Sequence, residues 1–241
     1  MKTVPAIVFG VAIVISAWFF SHSWQNTHHV NDIINVTGSA KKDFTSDLIV
    51  WSGSFIRKGK TVQDAYSSIK SDEEAIKKYL IGKGVPEKCL TFSAIDINKL
   101  YDETFDSHGN RTQVFSGYNL SQNVRIESTE VDKIDNVSRE ITELLNTGIE
   151  LNSQPPSYYY TKLAELKIAM LADATADAKL RAEKIASNAG NRLGKLRKAD
   201  MGVFQITARY SSEDYLGGGA FNTGSKDKTV SITVHLEFGI N

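Results

Sequence analysis

A chain of 241 residues can form one or two domains, each with a sizeable core. Hydrophobic residues at 41% and charged residues at 23% are ordinary for a folded globular protein. Lysine plus arginine and aspartate plus glutamate both total 28, so the net charge is zero; the cationic excess that a phosphate backbone recruits is missing, and nucleic acid is not expected as a partner.

The chain opens on an uncharged apolar run from Val4 to Phe20, preceded by Lys2 and followed by a polar stretch. Its apolar residues Val4, Ile7, Val8, Phe9, Val11, Ile13, Val14, Ile15, Trp18, Phe19 and Phe20 make residues 1–20 a candidate membrane anchor near the lower length limit for a helical span. The closing aromatics suit a membrane–water interface, and Lys2 on the short side places the remainder outside the cytoplasm. The alternative is a cleaved export signal with Ser21 and Ser23 as a weak small-residue pair, which the bulky flanks disfavour. Residues 21–32 form a linker in which His22, His28 and His29 lack a carboxylate or cysteine at ligand spacing, so no metal is expected.

Residues 33–241 read as one α+β domain. Ile33 to Ser39 predicts a strand, Ala40 to Asp43 a turn, and Phe44 to Arg57 a longer strand with Gly53 as a candidate bulge. Thr61 to Lys83 predicts a helix with Thr61 as N-cap, Asp64 in the capping-box position, and Val62, Ala65, Tyr66, Ile69, Ile76, Tyr79 and Leu80 on one face. Cys89 to Tyr101 and Gln113 to Glu127 predict two long strands, joined by a polar connector in which Asp102, Glu103 and Asp106 lack calcium-loop spacing. Val131 to Thr147 predicts a second helix closed by Gly148, and an extended segment bent at Pro155 and Pro156 follows. Thr161 to Ala189 predicts a long alanine-rich helix suited to close packing. Leu193 to Tyr210 and Lys228 to Phe238 predict late strands around a glycine-containing loop. The order is β-β-α-β-β-α-β-α-β-β: long antiparallel strands packed against helices.

Chemistry-bearing motifs do not appear. Gly217 to Gly219 lacks the Lys-Ser/Thr pair of a phosphate loop, and there is no nucleophile elbow, zinc-protease helix or dinucleotide fingerprint. Cys89 is the single cysteine, so an intramolecular disulfide is impossible; an apolar filler is the expected role. Asn35, Asn119 and Asn136 head Asn-X-Ser/Thr sequences, which matter only in a eukaryotic secretory pathway. His235 reads as a structural histidine in a strand. Tyr158, Tyr159 and Tyr160 are the candidate interface, because neighbours in a strand alternate faces and at least one ring is expected at the surface.

Several short signatures, taken in order, carry a resemblance. They are Val36-Thr37-Gly38, Gly84-Val85 before Lys88-Cys89-Leu90-Thr91, Tyr101-Asp102, Gly117-Tyr118 and Val124-Arg125-Ile126. The long helix adds Ala174, Asp177, Ala178, Lys179, Ala182, Glu183, Lys184 and Ala186, and Gly190 and Leu193 to Leu196 follow it. Over roughly residues 33–238 the chain resembles the SIMPL-domain family. It departs from that family's pattern at Lys167-Ile168-Ala169, where an Ala-Arg pair is usual, and at Cys89-Leu90-Thr91. The resemblance implies an α+β fold, an envelope location, self-assembly in some members and a loose association with stress tolerance, with no catalytic residues to transfer. The expectation is a non-enzymatic, self-associating envelope protein without cofactor, facing the periplasm or cell exterior; the alternatives are a ligand- or peptide-binding periplasmic module and, last, a hydrolase with a dispersed site.

Overall fold

The computed structural model describes residues 10, 12–21, 33–105, 110–211 and 218–240. Its α-helices and antiparallel strands make an α+β fold with the element order expected from the sequence. Residues 12–21 form helix α1. Strand β1 (Ile33–Thr45) leads to β2 (Leu48–Gly59), helix α2 (Val62–Gly82), β3 (Leu90–Phe92), β4 (Asp96–Phe105) and β5 (Arg111–Ser128). Helix α3 (Val131–Glu140) continues as a 3₁₀ segment (Ile141–Thr147) into the short strands β6 (Leu151–Ser153) and β7 (Ser157–Tyr159). The long helix α4 (Leu163–Asn188), β8 (Leu193–Met201), β9 (Gln205–Ala208) and β10 (Asp227–Ile240) complete the chain. It divides into two compact units, the first comprising residues 1–42, 165–204 and 231–241, the second residues 43–164 and 205–230.

The second unit holds a six-stranded sheet of order β3-β5-β2-β6, in which β4 also pairs with β5 and β7 with β2. Its axis is the long antiparallel β2–β5 ladder, from Ile49 opposite Ser128 to Gly59 opposite Tyr118. Period-two alternation sends Ile49, Trp51 and Phe55 of β2, with Leu120, Val124 and Ile126 of β5, into a core shared with α2 and α3. Helix α2 contributes Ala65, Ile69, Ile76 and Leu80, four fully buried positions at helical spacing. It starts as expected, with the Thr61 hydroxyl oxygen accepting from the Asp64 N–H at 3.1 Å. Arg57 binds Asp72 through two bonds of 2.5 and 2.8 Å and donates a third, of 2.8 Å, to the Gly148 carbonyl. The Arg57 guanidinium is held above its ordinary proton affinity chiefly by its hydrogen bond to Asp72.

In the first unit, β1, β10 and β8 are neighbours in that order, with β10 and β8 antiparallel from Val234 opposite Met201 to Ile240 opposite Leu193. The buried line of α4 is Leu166, Met170, Ala174, Ala178, Ala182 and Ala186, every fourth residue, while Ile185 is exposed. Small side chains let the helix backbone approach β1 closely. A Cβ placed on Gly38 would lie 2.2 Å from the Ala174 carbonyl oxygen and 2.5 Å from the Ala178 nitrogen, so only glycine fits. The next residue completes the contact: the Ser39 N–H donates to Asp177 at 2.9 Å, and Asp177 also pairs with Arg181 at 3.0 Å. These two donors hold the Asp177 carboxyl below the usual carboxylate range, the backbone N–H having the larger effect. Two of the sequence signatures, Val36-Thr37-Gly38 and the Ala174–Ala186 stretch, are thus the two sides of one packing contact.

Several boundaries differ from the sequence reading. Residues Ala40 to Asp43, expected as a turn, lie inside β1, and the reversal comes at Ser46 and Asp47. Lys41, Lys42 and Asp43 are exposed there, so polarity marked an exposed strand and not a turn. The strand expected over Leu193 to Tyr210 breaks after Met201, where the Gly202 N–H donates to the Thr233 carbonyl at 2.9 Å. Gly53 sits in an unbroken ladder, and its missing side chain gives room to the Trp51 ring. The bulge lies on β5, where Ser116 is left without a partner between Leu100–Gly117 and Tyr101–Phe115. Gly117 has φ +150°, and a Cβ there would lie 2.6 Å from the Gly59 carbonyl oxygen.

Candidate functional site

The tyrosine run resolves into three environments. Tyr158 is buried, its hydroxyl donating to Asp135 at 2.7 Å and its N–H to the Thr223 carbonyl at 2.8 Å. Burial first, and Asp135 second, push its phenol up to about 12. Tyr159 is half-buried opposite Leu48, and Tyr160 is half-buried with its ring centroid 5.0 Å from that of Phe44. None of the three presents a fully exposed ring.

Beside them sits a side chain that the sequence did not single out. Lys228 is 2% exposed, and its ammonium donates to the Tyr158 carbonyl at 2.5 Å and the Ser46 hydroxyl at 2.9 Å. Loss of water pushes its pKa down to about 8. Asp47, one residue along the same turn, accepts from the Thr161 N–H and hydroxyl at 2.7 Å each. The arrangement ties the β1–β2 turn, β7 and the start of β10 together, with two of the ammonium's three protons given to protein acceptors.

The surface of the first unit that carries polar side chains holds a shallow groove of about 170 Å³ lined by Asn35, Thr37, Lys198, Asp200, His235 and Glu237. Thr37 Oγ1 and His235 Nδ1 lie 2.9 Å apart, and Lys198 pairs with Asp200 at 2.7 Å. His235 is therefore a partnered strand histidine. In the second unit an open depression of about 390 Å³ is lined by Ser54, Ile56, Leu145, Glu150, Leu151 and Asn152. Neither groove gathers the convergent polar groups within an apolar cleft that small-molecule sites use. Among the described residues, no three histidine, cysteine or acidic side chains come together as a metal-binding group.

The anchor residues Val4, Ile7, Val8, Phe9 and Val11, like the connector's Asp106 and His108, lie outside the described residues. Ile13, Val14, Ile15, Trp18, Phe19 and Phe20 belong to α1, and all six are exposed. Among the described residues no helix is long and apolar enough to cross a membrane.

The feature with the clearest capacity for contact is the outer part of the β4–β5 hairpin. Its ladder runs from Asp96 opposite Ser121 to Phe105 opposite Arg111. The core-facing side of β5 continues along it as Tyr118, Phe115 and, on β4, Ile97, Tyr101 and Phe105. Past Gly117 that side is uncovered: Tyr101 is 51% exposed, Phe105 69% and Phe115 45%. The rings stack edge to face along the ribbon, Tyr101 on Phe115 at 6.0 Å and Phe115 on Tyr118 at 5.2 Å. The outer edge of β4 has no strand partner among the described residues, so a row of backbone donors and acceptors faces solvent. Sequence reading placed these strands but missed the surface. The available signal was the spacing of Ile97, Tyr101 and Phe105, one face of a strand otherwise filled with charge.

Residues 34–238 match the family described as "SIMPL: Protein of unknown function (DUF541)". The chain belongs to the SIMPL family. No curated protein matches it.

Proposed function

We propose that this chain is a non-enzymatic envelope protein that self-assembles, held at the membrane by residues 1–20 and facing the periplasm or cell exterior, where it supports envelope integrity under stress. The observation that carries self-assembly is the β4–β5 hairpin, whose apolar side and open strand edge are both presented to solvent. A free edge beside exposed aromatic rings is a standing template for pairing, which monomeric proteins normally blunt. The membrane part of the reading is supported by α1, whose apolar side chains are exposed on all sides and find no protein cover.

Sedimentation equilibrium of the full-length chain in a mild non-ionic detergent tests assembly. A concentration-dependent oligomer is expected, and a strict monomer at high concentration refutes it. Cell fractionation tests location: the intact chain is expected in the membrane fraction, and a mature protein beginning near Ser21 refutes the retained anchor.

A further inference from the structure

We infer that two copies of this chain pair through the outer edges of their β4 strands, antiparallel, about a two-fold axis at Tyr101. This rests on the self-assembly reading and names its surface and register. The bulge falls on β5, so β4 itself keeps an unbroken alternation from Asp96 to Phe105 and presents a regular edge.

Symmetry narrows the choices. A two-fold perpendicular to the sheet keeps each side chain on its own face, so one residue of β4 must lie opposite its own copy. Centred on Lys99, the two lysines face each other; centred on Asp102, two carboxylates do. Centred on Leu100, Ile97 faces Glu103 and Lys99 faces Tyr101. Centred on Tyr101, the aromatic face alone pairs like with like and charge with opposite charge. Ile97 lies against Phe105, Lys99 against Glu103 and Tyr101 against Tyr101 on the aromatic face, while on the other Asn98 lies against Thr104 and the half-buried Leu100 against Asp102. Symmetry repeats each of these pairs except Tyr101 against Tyr101, which lies on the axis. Cross-strand apolar and opposite-charge pairs are the units that stabilise a ladder, and like charges opposite one another destabilise it.

The same charges act as guards. Asp96, Lys99, Asp102 and Glu103 on an edge discourage indiscriminate pairing, and the Tyr101-centred register is where Lys99 and Glu103 neutralise each other. Glu103 makes a loose contact with Arg111, at 3.5 Å with both side chains more than half exposed. It is therefore free to exchange partners at little cost.

The test uses charge reversal in the full-length chain. K99E places carboxylates opposite Glu103 at both ends, and E103K places ammonium groups opposite Lys99, so each variant alone is expected to dissociate at least about tenfold more readily than the parent. Mixed in equal amounts, the two variants restore both pairs and are expected to form a heterodimer of near-parental affinity. Unchanged circular dichroism is expected throughout, since both side chains are exposed. A parent that associates while the single variants associate equally well, or a mixture as weak as its components, overturns the Tyr101 register and leaves self-assembly standing. A strictly monomeric parent overturns both. A disulfide between the two copies of Y101C, in a C89S background, supports the register because a residue opposite itself meets the distance requirement; failure to cross-link in an associated sample counts against it.

Discussion

Burying Lys228 with no carboxylate partner among the described residues should write itself into the pH dependence of stability. Its pKa falls from 10.5 to about 8 because burial penalises the ammonium. Below about pH 8 both the folded and unfolded chains hold this proton, and the desolvation cost is borne in full. Between about 8 and 10.5 the unfolded chain still holds the proton while the folded chain has released it. Stability therefore rises with pH across that window, by at most about 1.4 kcal/mol per pH unit and about 3 kcal/mol in all. Tyr158 acts in the opposite sense. Its pKa, raised from 10.0 to about 12, means that above pH 10 the unfolded chain loses a proton that the folded chain keeps. Stability then declines toward pH 12. Lys70, Lys83, Lys198 and Lys226, each raised by an acidic neighbour, also lose their contribution only as pH climbs past 10.5. The expected profile has a maximum near pH 10, an unusual position for a protein. Guanidinium unfolding at a series of pH values measures it, with the fluorescence of the fully buried Trp51 as a reporter. K228M removes the rise between 8 and 10. It also strips the donor from the Tyr158 carbonyl and the Ser46 hydroxyl, at about 1–3 kcal/mol. The variant should therefore be near parity with the parent at neutral pH and fall behind it at pH 10. A flat parental profile, or a rise that survives in K228M, refutes the reasoning.

Three further outcomes follow from the packing. Gly38→Ala should cost about 3 kcal/mol or more by chemical denaturation, because the new methyl meets the α4 backbone and not a movable side chain. Asp72→Asn should cost about 2–3 kcal/mol, since Asp72 is 5% exposed and receives two bonds from Arg57; a double-mutant cycle with Arg57→Met isolates the coupling. Replacing Tyr101 and Phe115 together by serine should cost about 1–3 kcal/mol of unfolding free energy, because both rings are half-exposed yet stack edge to face, while sharply weakening association in sedimentation experiments.

What could be read in advance was local. The Thr61 cap and the Ala65, Ile69, Ile76 and Leu80 positions of α2 each depend on neighbours within a turn, and the structure keeps them, although Tyr66, expected on the same face, is exposed. What escaped depends on distant partners. Lys228 reaches Ser46 across 182 positions of sequence and Tyr158 across 70, and a lysine near a strand start carries no mark that it will be buried. The tyrosine run looked like an interface because alternation sends one ring outward. The structure spends that ring against Phe44, a neighbour contributed by β1.

The hairpin sharpens the point. Tyr118, Leu120, Val124 and Ile126 keep one parity along β5, and the bulge at Ser116 brings Phe115, three residues before Tyr118, onto the same side. Its first part is core and its second part is surface, and the difference is set by where covering elements stop. Gly117 marks the change, since its backbone conformation and its contact with Gly59 place the bulge there and leave β4 regular beyond it. A strand that outruns its cover would be a liability in a monomer. Here the residues on the aromatic face of β4, Ile97, Lys99, Tyr101, Glu103 and Phe105, match their own reflection about Tyr101, apolar on apolar and charge on opposite charge. That self-complementarity makes the uncovered stretch an argument for a second copy of the chain.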